Sequence, residues 1–229
     1  GSSAETSNTI TINASENATA NVTISDVNIN TSDAAVSTNG KGNVNIELDG
    51  TNTLKSGVNH AGLEKNSDGN QGKLTITDEN ENGKLIATGG NGAAGIGGGL
   101  YAGGNDITIA GGKVTATGGD YGAGIGGGDH GEGKNITITG GEVTAAGGTN
   151  GAGIGGGLRK EGEKITVSGD ATLKVQGGSG DGWDGAGAGI GNGGNHNGEF
   201  SGSFIPVNAA ETEPDTSNLT TCLLYTSPS

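Results

Sequence analysis

Few side chains in this sequence could do chemistry. Its 229 residues include 11 Lys or Arg, 25 Asp or Glu, three His, one Cys and one Trp. His60, His130 and His196 share no ligand spacing, so they are expected to be surface histidines rather than a zinc site. Glycoside hydrolysis needs paired carboxylates; only Asp129-His130-Gly131 faintly suggests such a centre, with no partner motif nearby. A lyase would need calcium-binding carboxylates beside a basic residue, and Arg159-Lys160 is one lone basic pair, expected to be a solvated loop. Gly128 to Lys134 fits GxxxxGK but runs on into Asn135 instead of Ser or Thr, which argues against a phosphate cradle. GGSGDGWDG at 177–185 partly matches a calcium-binding nonapeptide. Its Asp is one place early, but Asp181 and Asp184 remain candidate calcium ligands because paired carboxylates in a turn suit a hard cation. No catalytic residues are assigned, and the chain reads as a non-enzyme.

The composition limits what could position these groups. With 52 Gly, 3 Pro, 29% apolar and 3% aromatic residues, a globule with a thick side-chain core is not expected. Collagen is excluded as well, since glycine does not recur every third residue. The net charge of −14 disfavours nucleic acid, and no apolar run is long enough to insert in a membrane. The opening Gly1-Ser2-Ser3 and the lack of Met suggest a soluble segment cut from a longer protein, with 1–4 as linker.

The glycine is periodic. NDITIAGGKVTATGGDYGAGIGGGDHGEG at 105–133 is followed by KNITITGGEVTAAGGTNGAGIGGGLRKEG at 134–162, an offset of 29, with further copies at 72–104 and 163–198. Two runs in each copy alternate apolar with polar, the period of a strand. Six columns then recur: Leu74, Ile107, Ile136, Ile165; Ile76, Ile109, Ile138, Val167; Leu85, Val114, Val143, Leu173; Ala87, Ala116, Ala145, Val175; Ala94, Ala123, Ala152, Ala188; and Ile96, Ile125, Ile154, Ile190. Stacking like on like at ~4.8 Å per coil predicts an all-β protein. It is a single-stranded, right-handed parallel β-helix (β-solenoid) with three short strands per ~29-residue coil and six to seven coils, the handedness resting on the usual preference. The domain spans 5–207, with capping coils at 5–71, regular repeats at 72–198 and a closing cap at 199–207. The tail 208–229 is expected to be disordered. Its last stretch, TCLLYTSPS (221–229), resembles translated sequencing-adapter read-through, which would leave Cys222 without biological meaning.

Three surfaces follow. The loops between second and third strands should stack, placing Tyr121, Asn150, Asp181, Trp183 and Asp184 on one ridge, where aromatic faces meet sugar C–H groups and polar neighbours take hydroxyls. Outward Thr75, Thr77, Thr108, Thr137, Thr139 and Thr166 form a double file resembling the Thr ladders of ice-binding β-helices, although Thr is favoured on any solvent-facing strand. The third strand would turn only Gly122, Gly124, Gly126, Gly151, Gly153 and Gly155 outward, a bare face open to self-association.

The unit ITITGGxVTATGGxxGAGIGGG resembles repeats in surface proteins of gut Firmicutes, and 5–207 is similar to bacterial β-helix modules described as carbohydrate-binding domains. That resemblance implies a pectate-lyase-like fold without catalysis, binding of acidic plant or host polysaccharide, and calcium in some cases. No functional residue of the family maps onto a matching position here. The expectation is an extracellular, adhesin-like module of a bacterial cell surface that binds polysaccharide. Ice binding or a purely structural, self-associating solenoid is the alternative, with a polysaccharide lyase or hydrolase behind both.

Overall fold

The structure, a computed structural model, describes residues 4–65, 72–195 and 224–226, the last three as backbone only. Alternating Ile-Thr and Val-Thr runs favour extended backbone, because β-branched side chains fit a pleated, half-buried surface. Glycine doublets then stop each run after a few residues. Among the described residues there is no helix, and parallel strands stack into a β-solenoid of about six turns with three sheets.

The first sheet stacks Thr19–Ser25, Asn43–Asp49, Leu74–Thr77, Ile107–Ile109, Gly133–Ile138 and Gly162–Val167. In the second, Asn28–Asn30, Thr51–Lys55, Lys84–Thr88, Lys113–Thr117, Glu142–Ala146 and Thr172–Gln176 follow one another, and Leu224–Thr226 pairs with the last of them. The third begins with Ile10–Asn13 and Val36–Asn39 and continues with the two-residue strands Leu63–Glu64, Ile96–Gly97, Ile125–Gly126, Ile154–Gly155 and Ile190–Gly191.

Register follows the sequence period. Ile107 pairs with Leu74 on one side and Ile136 on the other, and Ile136 with Ile165. Val114 sits between Leu85 and Val143, and Ile125 between Ile96 and Ile154. These columns are buried and make one continuous core, while Ala94, Ala123, Ala152 and Ala188 fill the tight second corner. Ile10, Ala20, Val22 and Val27 pack half-buried against the leading end of this core. The expected cap at 199–207, His196 and Cys222 lie outside the described residues.

Two corners use glycine for different reasons. Gly112 and Gly141, between first and second strands, have φ of +86° and +83°, which side chains rarely adopt. Between second and third strands the need is space, since a Cβ on Gly119 would lie 2.0 Å from the Gly90 carbonyl oxygen of the coil below. One core position breaks the aliphatic rule. Asn52 pairs with Leu85 in register and is buried, yet its Oδ1 accepts the Val27 N–H at 3.0 Å and its Nδ2 donates to the Asp49 and Lys84 carbonyls at 3.1 and 3.3 Å.

The bare glycine face expected on the third strand is not there. Gly122, Gly124, Gly126, Gly151, Gly153 and Gly155 are all buried. With a strand of only two residues, the loops before and after it meet. The Leu100 N–H donates to the Asn59 carbonyl, Asp129 to Gly92, Leu158 to Tyr121 and Gly194 to Asn150, at 2.6–3.0 Å. These bonds satisfy loop backbone groups that would otherwise need water, and they close over the glycines.

Candidate functional site

Because the loops flanking the third strand recur every coil, their side chains form files along the solenoid axis. Tyr101, His130 and Arg159 occupy one position 29 residues apart, each with left-handed backbone at φ of 59°, 56° and 58°. The first two stand close: the Tyr101 and His130 ring centroids are 5.8 Å apart with planes tilted by 58°. Tyr101 is 72% exposed. The Asp129 carboxylate, 2.6 Å from His130 Nδ1, fixes the imidazole.

On the loop before the third strand, Tyr121 and Asn150 share the left-handed conformation at φ of 69° and 61°. Beside them runs a polar file in which Asn91 Nδ2 and Thr149 Oγ1 each donate to Asp120, at 3.1 Å, from the coils on either side. In the next coil this loop lengthens around Ser179 to Asp184, and two fastenings hold the insertion down. Arg159 donates from Nε to Asp184 Oδ1 at 2.9 Å and from Nη2 to Oδ2 at 2.8 Å, a fork matched to the carboxylate. Asn150, buried, donates from Nδ2 to the Asp184 and Gly185 carbonyls, both at 2.9 Å, leaving its buried Oδ1 without a hydrogen-bond partner.

At the tip of the insertion, Asp181 Oδ1 accepts the N–H groups of Trp183 and Asp184 at 2.9 and 2.8 Å. Those backbone donors, Asp184 first, hold the Asp181 carboxyl below its ordinary range. The Arg159 guanidinium is raised above its usual value, chiefly by its hydrogen bond and charge contact with Asp184, with Asp129 and Asp181 adding to the field. The turn leaves Trp183 78% exposed.

The structure thus brings Asn150, Asp181, Trp183 and Asp184 together but divides their roles. Trp183 and Asp181 face solvent and Tyr121 is half-buried, whereas Asn150 and Asp184 point inward as supports. Arg159 lies on an exposed turn, as expected, but is also fixed in an ion pair; its side chain is 44% exposed against 4% for Asp184. Calcium does not fit Asp181 and Asp184, because both Asp184 oxygens are taken by Arg159 and Asp181 Oδ1 by backbone N–H groups. Among the described residues no group of three or more His, Cys, Asp or Glu is placed to hold a metal ion. His60, in the equivalent loop of an earlier coil, lies 3.0 Å from Glu64 and 3.9 Å from Asp33.

A separate open groove of about 710 Å³ follows the corner between first and second strands. Gly111, Gly112, Gly140 and Gly141 line it together with Asp78, Glu81, Asp170 and the Lys113–Glu142 ion pair. The Thr file of the first sheet is in register, with Thr75, Thr108, Thr137 and Thr166 paired in succession, but Thr108, expected to face outward, is buried at 8% exposure.

Tyr101 is the site residue that sequence reasoning missed. Its 29-residue spacing to His130 and Arg159 was available, but three different residue types hide a column that only the backbone conformation shares. A family model described as a β-helix repeat matches residues 81–100, 107–129 and 136–158, the coils that carry Tyr101, Tyr121, Asn150 and their supports, or the loops next to them. Comparison with curated proteins and with solved structures finds no match.

Proposed function

We propose that this β-helix repeat protein is a non-catalytic polysaccharide-binding module, carried by an extracellular, adhesin-like protein of a bacterial surface. The observation that carries the reading is the presentation of Tyr101 and Trp183, 72% and 78% exposed, along one edge of the coil stack. Most of each side chain is left to solvent. Tyr101 even holds a left-handed backbone that glycine would adopt at lower cost. Ring faces stack on the C–H faces of sugars, and residues already held by coil-to-coil hydrogen bonds lose little freedom when they bind. Asp120, Thr149 and Asn91 supply hydroxyl partners beside them.

The commitment of the nearby carboxylates favours binding over catalysis. Asp184 is held by Arg159, Asp129 by His130 and Asp120 by Asn91 and Thr149, which leaves no evident acid and base facing one another. The repeat's resemblance to those of Firmicutes surface proteins supports the extracellular placement. The test is glycan-array and polysaccharide-gel binding of wild type, Tyr101→Ala and Trp183→Ala, with assays for reducing ends and unsaturated products. Binding should fall about tenfold or more in each variant, with no product released. Unchanged binding in both would remove this edge as the site, and product release would make the protein an enzyme.

Ice binding is the second reading, favoured by the in-register Thr file from Thr75 to Thr166. Thermal hysteresis that disappears in Thr137→Lys would support it; its absence in wild type would end it.

A further inference from the structure

We infer that the polysaccharide taken by this edge carries free amino groups, an amino-sugar polymer in preference to a neutral or acidic one. The inference rests on the glycan-binding reading above and names the ligand's chemical class. Arg159 is the only arginine in the chain, and its fork is already closed on Asp184. The charges of Asp129 and Asp181 also act on this guanidinium, so carboxylates outnumber the one cation already paired with Asp184, with Lys160 next in the chain.

Two exposed rings are linked to these carboxylates through their neighbours. Trp183 is two residues from Asp181 and bound to it through its backbone N–H, and Tyr101 packs against His130, whose partner is Asp129. An aromatic face flanked by carboxylates recognises an ammonium group, because ring quadrupole and charge attract it together. A neutral sugar would gain stacking alone. A uronic acid would be repelled by the local field and by the chain's net charge of −14, against the acidic ligand that the sequence resemblance implies.

The experiment compares retardation of the protein in gels containing glucosamine polymer, neutral β-glucan or polygalacturonate, with the amine kept protonated. Since an acidic protein attracts any polycation, two double variants that lose equal charge separate the site from the background. Asp129→Asn with Asp181→Asn keeps the hydrogen-bonding shape of the edge; Glu81→Gln with Asp170→Asn removes two charges lining the groove at the other corner. The glucosamine polymer should be retained about tenfold more strongly than the neutral one, and the edge variant should lose most of that gain while the groove variant changes less than about twofold. Equal or stronger retention of the neutral or acidic polymer, or equal losses in the two variants, would overturn the inference and leave the glycan-binding reading standing. Retention of none of the three would remove that reading, and this inference with it.

Discussion

Replacing Gly148 with Ala and, separately, Gly182 with Ala isolates coil-to-coil contact from backbone conformation. A Cβ on Gly148 would lie 1.9 Å from the Gly119 carbonyl oxygen and 2.5 Å from its carbon, both main-chain atoms of the coil below. Ordinary contact would require the coils to part by more than ~1 Å, where their normal spacing is ~4.8 Å. The bonds that set that spacing include Gly148 N–H to the Gly122 carbonyl at 3.0 Å and Gly118 N–H to the Ala146 carbonyl at 2.9 Å. Lengthening either by ~1 Å takes it beyond hydrogen-bond range. Two such losses, at about 1–3 kcal/mol for each buried group left unpaired, come to roughly 2–6 kcal/mol, comparable to the whole stability of many domains. At Gly182 the φ is +91° and an added Cβ meets nothing within 4 Å, so only the conformational cost of about 1 kcal/mol applies. Urea unfolding followed by far-ultraviolet circular dichroism reads both. Equal midpoints for the two variants, or a Gly148→Ala midpoint close to wild type, would refute the argument that backbone contact between coils dictates these glycines.

Asn52→Leu should lower stability by roughly 1–3 kcal/mol in the same assay, since the new side chain suits the Leu85 column but strands the Val27 N–H; a higher midpoint would mean that aliphatic continuity outweighs the amide. The Asp181 carboxyl is held below its ordinary value of 3.8 by the Asp184 and Trp183 N–H groups. A depressed folded pKa contributes stability that is complete above the ordinary value and is lost as pH falls below it through the folded one. Emission from Trp183, the only tryptophan, should therefore change below pH 3.8 and not above it, and the step should vanish in Asp181→Asn.

What the sequence determined by itself was the solenoid. In a coil stack, neighbours in space are separated by one repeat, so the pairing of Ile107 with Ile136 and of Val114 with Val143 can be read directly as an offset of 29. Tertiary structure decided the relationships that leave this period. The Arg159–Asp184 pair depends on how far the Ser179 to Asp184 insertion reaches back, and Asn52 earns its core position from backbone groups in three different segments. The fate of the third face turned on bonds between loops on opposite sides of a two-residue strand, such as Leu158 to Tyr121. Periodicity reports which residues share a column; how far a side chain projects, and which loop folds over it, follows from local backbone geometry and from packing between columns.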